Sequence, residues 1–170
     1  SRTMQIAQKL YEGVNIGSET TGLITYMRTD GVQLGSEALA SVRGEIGQRF
    51  GNRYLPNSPR IYRTAAANAQ EAHEAIRPTD ISRAPQEISS YLDYDQQRLY
   101  DLIWKRTIAS QMESAELDQT AIDISNASQS VMLRASGRVV VFDGYRSVYQ
   151  EGRESTSDAV ETDKQDDSAI

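Results

Sequence analysis

The spacing of hydrophobic and polar residues predicts three helices in the first two thirds of the chain. Apolar side chains recur at helical intervals within Arg2–Tyr11, and Gly13 follows as a stop signal. Ser36 is suited to cap a second helix that ends near Gly51. The clearest amphipathic pattern covers Asp95–Met112. Its predicted core residues are Leu99, Leu102, Ile103, Ile108 and Met112.

Three segments between these helices are predicted to be non-helical. Val14–Thr21 is polar and is expected to form a loop. Gly22–Met27 is apolar and β-branched, which favours a short extended segment. Tyr54–Ala69 contains two prolines and is expected to be irregular.

Beyond the third helix the pattern changes to a period of two, which is typical of strands. Apolar and polar residues alternate over Thr120–Ser125. Val131–Ala135 and Val139–Phe142 flank Ser136–Gly137, so we predict a hairpin that turns at this glycine. Tyr145–Tyr149 is predicted to add a further strand, which would complete a β-meander.

The chain is therefore expected to have a mixed α and β fold in three parts. Residues 1–112 form a helical module, residues 113–150 form the β part, and residues 151–170 form a tail. The tail carries seven acidic residues and two basic ones with few large apolar side chains, so we expect it to be disordered.

Composition excludes several classes of protein. There is no cysteine, which excludes a disulfide framework and a cysteine-based zinc site. Neither a signal-peptide core nor an apolar run of membrane-spanning length is present, so a soluble, cytoplasmic protein without membrane partners is expected.

Charge is distributed unevenly along the chain. The net charge is −6, but residues 1–112 carry 13 Lys/Arg against 12 Asp/Glu, whereas residues 113–170 carry 5 against 12. Ser41–Arg63 contains a single acidic residue and an arginine-dense set, which is a candidate phosphate-facing surface. From charge alone, a solvated helix face is the preferred interpretation. The five arginines are Arg43, Arg49, Arg53, Arg60 and Arg63.

The segment Gly22–Gly31, with the sequence GLITYMRTDG, carries the first candidate chemistry. In an extended backbone, Tyr26 and Arg28 project from the same face. A phenol is almost wholly protonated at neutral pH, so attack on phosphorus requires a neighbouring cation, base or metal. Arg28 supplies a fixed charge and a bidentate fork. Taken alone, a tyrosine in such a segment is more often a packing residue.

The segment Gln70–Thr79, with the sequence QEAHEAIRPT, is the second candidate. His73, the one histidine of the chain, and Arg77 lie four residues apart and share a face in either a helix or a strand. Together they are able to hold a phosphate or relay a proton. The alternative is a surface histidine paired with Glu71 or Glu74, and the spacing alone favours that alternative.

In combination, the two segments closely resemble the active-site tyrosine motif and the second signature of type IA DNA topoisomerases, in the same order and at a fitting separation. The resemblance extends over Arg2–Tyr149 and includes Leu102–Trp104, Ser136–Arg138 and Phe142–Gly144.

Within the first motif, Met27 resembles the bacterial form of the family. Two features depart from the family pattern. Gly31 stands where many members have serine, and the polar loop Val14–Thr21 is longer.

This resemblance implies that Tyr26 attacks single-stranded DNA, becomes linked to the 5′ phosphate, and thereby relaxes negatively supercoiled DNA without ATP. Arg28 would position Tyr26 and the phosphate, and His73 would contact the phosphate. Asp30 would orient Arg28, whereas Arg77 matches the motif without a defined role. We expect the five clustered arginines to have only a diffuse role in holding the DNA strand, with Arg43, Arg49 and Arg53 as the candidate DNA-binding residues.

The resemblance further implies a winged-helix-like, CAP-like module followed by strands of the strap that closes a toroidal enzyme. It implies that this chain is a segment of a longer bacterial enzyme, associated with the nucleoid. The acidic residues that bind Mg²⁺ would lie in other domains of the same polypeptide, and no metal site is expected here. Tyr91–Asp95 instead has the pattern of a helix entry. The isolated segment is expected to be inactive or nearly so.

Two other functions compete with this interpretation. The arginine-rich stretch and the helices are also consistent with a non-catalytic winged-helix DNA-binding module. Another kind of tyrosine-nucleophile enzyme is disfavoured, because rolling-circle nucleases need a histidine-rich metal site and the chain has one histidine.

Overall fold

The computed structural model describes residues 1–62 and 73–150, which form a mixed α and β fold. The elements in chain order are α1 (Arg2–Glu12), β1 (Val14–Asn15), β2 (Thr20–Thr21), α2 (Ser36–Arg49), α3 (Pro85–Ile88), α4 (Tyr94–Ser110), β3 (Glu116–Ser125) and β4 (Met132–Phe142). Single 3₁₀ turns lie at Asn52–Tyr54, Ser89–Tyr91 and Gly144–Ser147. The predicted acidic tail and Arg63 lie outside the described residues.

The three predicted helices are confirmed, with one correction at a helix start. Gly35, and not Ser36, occupies the N-cap of α2, and Ser36 is already helical. For α4, the predicted helix entry is confirmed by a reciprocal capping box. Asp93 accepts a hydrogen bond from the backbone N–H of Gln96 at 2.8 Å, and the Gln96 side chain accepts one from the N–H of Asp93 at 3.0 Å.

A single cluster of buried side chains joins α1, α2, α4 and the loops between them. Ile108 and Met112 are buried as predicted, and Leu99 and Ile103 pack partly buried against the cluster. Tyr100 and Trp104 are also buried on this face. Leu102 is exposed, because it lies two residues from both Tyr100 and Trp104 and so points to the opposite side of the helix. The fully buried side chains of the cluster include Leu10, Leu23, Ile24, Ile46, Tyr100, Ile108 and Met112.

The α4 helix also fixes the segment that follows the second motif. The buried indole N–H of Trp104 donates to the carbonyl of Ile81 at 2.8 Å. One turn earlier, the Tyr100 hydroxyl donates to the carbonyl of Arg83 at 2.8 Å. These bonds satisfy carbonyls at the edge of the core and anchor the chain just after Pro78.

The predicted hairpin of Val131–Ala135 with Val139–Phe142 is wrong, because residues 132–142 form the single strand β4, which pairs instead with β3. β3 and β4 pair antiparallel, and Ser136–Gly137 lies in the middle of β4, opposite Thr120 and Ala121. The turn is at 126–131, where the Asn126 side chain accepts a hydrogen bond from the N–H of Val131 at 3.2 Å. The strand continues through Gly137. The observed turn is closed instead by the side chain of Asn126.

Two smaller predictions also require correction. Tyr145–Tyr149 is not a strand, since Gly144–Ser147 forms a 3₁₀ turn, and the expected meander is a two-stranded hairpin in the described part of the chain. The predicted loop Val14–Thr21 contains a minimal hairpin that pairs β1 with β2. In the ranges that the structure describes, every helix is too short or too polar to cross a membrane.

Candidate active site

The first motif lies beside residues 73–79, the described part of the second motif, and the two are paired through their backbones. Ile24 and Pro78 form an antiparallel bridge. On either side, the N–H of Thr25 donates to the carbonyl of Arg77 at 2.9 Å, and the N–H of Thr79 donates to the carbonyl of Leu23 at 3.0 Å. The extended conformation predicted for Gly22–Met27 is therefore confirmed at Ile24. It consists of an isolated bridge and not of a regular strand.

The side chain of Thr25 reinforces this pairing. Its hydroxyl donates to the carbonyl of Ala75 at 2.9 Å and accepts a hydrogen bond from the N–H of Arg77 at 3.0 Å. Leu23 and Ile24 are both 1% exposed, so their side chains anchor the tyrosine segment in the hydrophobic core. Tyr26 consequently projects from a backbone that is held on two sides.

The Tyr26 phenol lies between two other rings and remains open to solvent. Its side chain is 49% exposed. The Tyr11 ring from the end of α1 packs edge-on at a centroid distance of 5.5 Å, and the His73 ring lies 5.6 Å away at an angle of 52°. Half-exposure between two rings orients the phenol and leaves it accessible to a large substrate.

Arg28 connects the two motifs through its guanidinium group. Its Nη1 lies 3.3 Å from Nε2 of His73, and its Nε lies 2.8 Å from a carboxylate oxygen of Asp30. Arginine only donates hydrogen bonds, so Nε2 of His73 is the acceptor in this contact. The fork thus holds the imidazole and the carboxylate on one planar group.

Arg77 forms a second polar cluster, with Glu74 and the carbonyl of Pro78, next to the cluster of Arg28, His73 and Asp30. Its guanidinium donates to Glu74 at 2.8 and 3.0 Å and to the carbonyl of Pro78 at 3.0 Å. Glu74 therefore pairs with Arg77, and the alternative pairing with His73 is not present. Glu71, the other acid considered for that pairing, lies outside the described residues.

The arginines predicted to bind DNA more diffusely lie apart from this cluster and make intramolecular contacts. Arg43 donates to the carbonyl of Pro56 at 2.8 Å, and the guanidinium of Arg53 lies 4.3 Å from the ring centroid of Phe142.

Arg49 is held more strongly, by an ion pair with Glu45 and another with Glu87 at 3.2 Å. The hydrogen bond to Glu45 raises the pKa of the Arg49 guanidinium above its ordinary value. A part for these three arginines in DNA binding stays a prediction, and each has a structural contact that explains its presence.

The possible metal ligands among the described residues are scattered and form no large cluster. Across residues 1–62 and 73–150, no group of three or more histidine or carboxylate side chains is close enough to hold one. Asp30 pairs with Arg28, and Glu74 pairs with Arg77.

The sequence did not reveal the roles of two residues of this site. Thr25 cross-links the two motifs, and Glu74 joins Arg77 to the start of α2 through a hydrogen bond from the N–H of Gly35 at 3.0 Å. Each lies inside a motif and directly beside a predicted site residue, which is the signal that was available. Their partners are distant in sequence, so spacing alone did not reveal them.

Comparisons with known proteins agree with the two motifs. A family model described as DNA topoisomerase matches residues 1–169. DNA topoisomerase 1 of Rickettsia felis is 52% identical over 160 residues, covering 94% of this chain and 20% of the relative. The protein of the same name from Xylella fastidiosa is 49% identical over 155 residues, covering 91% and 19%.

A solved structure shows the same fold. Full-length topoisomerase I from Thermotoga maritima superimposes with a TM-score of 0.74 at 34% identity, covering 95% of this chain and 25% of that one. The chain spans about a fifth of the length of the curated relatives that it matches.

Proposed function

Because this chain belongs to the bacterial type IA DNA topoisomerase family, we propose that it carries the tyrosine nucleophile of a DNA-relaxing enzyme. The observation that supports this proposal most strongly is the half-exposed phenol of Tyr26 beside the His73 ring, whose Nε2 lies 3.3 Å from Arg28. The arrangement presents a hydroxyl together with a fixed cation, which is what attack on a phosphodiester requires.

In the proposed reaction, the Tyr26 oxygen attacks a phosphorus atom of single-stranded DNA. A bond forms between the phenolic oxygen and the 5′ phosphate, and the bond to the 3′ oxygen breaks. The phenol gives up its proton, and the departing 3′ oxygen takes one up to become a hydroxyl. One phosphodiester replaces another, so resealing needs no ATP. Passage of a second strand before resealing would relax negatively supercoiled DNA.

Each neighbouring residue has a proposed role that follows from its contacts. The Arg28 guanidinium binds the scissile phosphate and stabilises charge on its oxygens. His73 contacts the same phosphate through its ring. Asp30 holds the Arg28 fork in place by a charge-assisted hydrogen bond. Arg77 contributes positive charge beside this group.

The Mg²⁺ that such a reaction is expected to use is proposed to bind outside this chain. This proposal is supported by the ion pairs of Asp30 and Glu74 with arginines, and by the lack of any group of three or more possible metal ligands among the described residues. The toprim domain of the parent polypeptide is the proposed source of the metal ligands. For the same reason, the isolated chain is proposed to have little or no activity.

The finer architecture and setting belong to the same proposal. The helical part is proposed to act as a winged-helix-like DNA-binding module, and the β3–β4 hairpin as the first strands of the strap. The proposed partners are single-stranded and negatively supercoiled DNA and the other domains of the same polypeptide. The proposed setting is the nucleoid in the bacterial cytoplasm.

A chimera tests this proposal. The chain replaces the segment that it matches in DNA topoisomerase 1 of Rickettsia felis, and relaxation of negatively supercoiled plasmid is measured. Tyr26→Phe removes only the hydroxyl, so we expect relaxation to disappear.

Tyr11→Phe is the matched control, since it removes a hydroxyl from the neighbouring ring and should leave relaxation intact. If Tyr26→Phe relaxes DNA as well as the control does, the proposal is wrong. Salt-sensitive DNA binding without any covalent adduct would then favour a non-catalytic DNA-binding module.

A further inference from the structure

We propose that Glu74 is a positioning residue, which holds His73 against Tyr26 and Arg28 by tying the segment around His73 to the start of α2. This inference rests on the proposed function for its catalytic consequence and on geometry alone for its structural part.

The Glu74 carboxylate bridges two elements. One oxygen accepts a hydrogen bond from the N–H of Gly35 at 3.0 Å, and the other accepts hydrogen bonds from Nε and Nη2 of Arg77 at 3.0 and 2.8 Å. Both oxygens are therefore used, one by a backbone donor and the other by two nitrogens of the same guanidinium.

The bond to Gly35 completes the cap of α2 from elsewhere in the chain. Gly35 is the N-cap residue, and no side chain of the helix itself caps this end. In a capping box, a carboxylate at the third helical residue would accept from the N-cap N–H. That position in α2 is Ala38, and Glu74 supplies the missing acceptor from 39 residues away. A negative charge at a helix N-terminus is also favourable.

Two glycines make room for this contact. A Cβ atom on Gly35 would lie 2.3 Å from the Glu74 carboxylate oxygen. A Cβ atom on Gly31 would lie 2.4 Å from the carbonyl oxygen of His73 and 2.7 Å from that of Glu74. The loop that follows Tyr26 and Arg28 thus packs directly on the backbone of the histidine segment, which a side chain at either position would disturb.

The same loop carries a further bond to the histidine segment. The N–H of Ala75 donates to the carbonyl of Gln33 at 2.8 Å. Between them, the bonds of Glu74 and Ala75 fix the backbone on the C-terminal side of His73 against residues 31–35. The imidazole then lies 3.3 Å from Arg28 and 5.6 Å from the Tyr26 ring. Loss of the Glu74 bridge should release this arrangement while the buried core remains.

The structural part is tested on the 170-residue chain by nuclear Overhauser effects between ring protons of His73 and Tyr26. Glu74→Ala should abolish the cross-ring effect, because it removes both anchors. Glu74→Gln should restore most of it, since the amide oxygen still accepts from Gly35. Glu87→Ala is the matched control: it removes an exposed acid paired with Arg49 and should leave the effect unchanged.

A second variant keeps the carboxylate and moves it. Gly35→Ala should displace the Glu74 side chain and weaken the same cross-ring effect. Core ring-current shifts from Trp104 report whether each variant is folded. Full cross-ring intensity in both folded Glu74→Ala and Gly35→Ala would overturn the proposal, and so would a Glu74→Ala loss that Glu87→Ala reproduces.

The catalytic part is tested by a double-mutant cycle in the Rickettsia felis chimera. Glu74→Ala should slow DNA cleavage about tenfold when His73 is present and have almost no effect in a His73→Ala background, because residues in one network are coupled. Equal slowing in both backgrounds would show that Glu74 does not act through His73. Failure of the proposed function is a separate result, since it would be seen as relaxation by Tyr26→Phe.

Discussion

At the scale of single residues, the proposed chemistry depends on the planar fork of Arg28. The guanidinium contacts a carboxylate oxygen of Asp30 through Nε and an imidazole nitrogen of His73 through Nη1 at the same time. An ammonium group carries the same charge but is a point donor on a flexible stem, and it cannot span both partners in one plane.

Arg28→Lys should therefore slow DNA cleavage by the chimera by about 10²-fold, the usual cost of losing one well-placed donor at a developing anion. Single-turnover cleavage of a labelled oligonucleotide measures the effect. Arg134→Lys, in an exposed ion pair with Asp123 on the β3–β4 hairpin, is the control and should leave the rate unchanged. Wild-type cleavage by Arg28→Lys would mean that charge alone is sufficient.

The residues of this site could be predicted from the sequence only in part. Tyr26, Arg28 and His73 belong to two motifs whose resemblance to a family placed them together, and in the structure His73 contacts both Tyr26 and Arg28. The contacts of Glu74 with Gly35 and of Thr25 with Ala75 join residues 39 and 50 positions apart. No local pattern encodes such pairs, since they arise only when the backbone has closed.

At the scale of elements, α4 supports the site by holding the segment after Pro78. The Tyr100 side chain is fully buried, and its hydroxyl donates to the carbonyl of Arg83. Burial also raises the pKa of Tyr100 well above the ordinary value for tyrosine.

Tyr100→Phe should lower the free energy of unfolding by about 1–2 kcal/mol, because it leaves the Arg83 carbonyl without its donor. Urea denaturation followed by circular dichroism measures this change. Tyr94→Phe on the exposed side of the same helix is the matched control and should stay within about 0.5 kcal/mol of the parent. Equal effects of the two substitutions would contradict the assigned hydrogen bond.

Because the pKa of Tyr100 is raised in the folded chain, the free energy of unfolding depends on pH in the alkaline range. The unfolded chain releases the Tyr100 proton near the reference pKa of about 10, whereas the folded chain retains it. Stability from this residue is therefore complete below that pH and is lost as the pH rises above it. Unfolding free energies measured on both sides of this pH should fall less steeply for Tyr100→Phe than for the parent. Identical slopes would contradict this assignment.

The elements themselves were predictable where a pattern was long and uninterrupted. The three helices follow from apolar spacing, and the entry to α4 follows from the capping pair Asp93 and Gln96. The hairpin turn was misplaced because Gly137 suggested a turn, whereas this glycine lies in mid-strand, where a Cβ atom would meet nothing within 4 Å. The side-chain bond of Asn126 decides the turn instead.

At the scale of the whole molecule, the core and the β3–β4 hairpin differ in their surroundings. The helical part contains a continuous cluster of buried side chains. Both faces of the hairpin are exposed, and nearly all its residues are accessible to solvent, including several large apolar ones. Phe142, packed on Tyr54 at a centroid distance of 5.0 Å, joins the base of the hairpin to the helical part. The alternation of apolar and polar residues predicted strands in this region but not their exposure. Burial of a strand depends on which other elements pack against it, and the pattern does not encode them.

A covalent bond between Tyr26 and DNA is the step on which the proposed activity of the whole enzyme depends, and mapping of the adduct detects it directly. The chimera is incubated with single-stranded DNA and Mg²⁺, denatured, and digested with nuclease and trypsin. The peptide Leu10–Arg28 contains both Tyr11 and Tyr26, so fragmentation in the mass spectrometer must separate them. We predict a nucleotide attached through its 5′ phosphate to Tyr26. Cleaved DNA accompanied by an adduct on Tyr11, or on any other residue, would contradict the assignment of Tyr26 as the nucleophile.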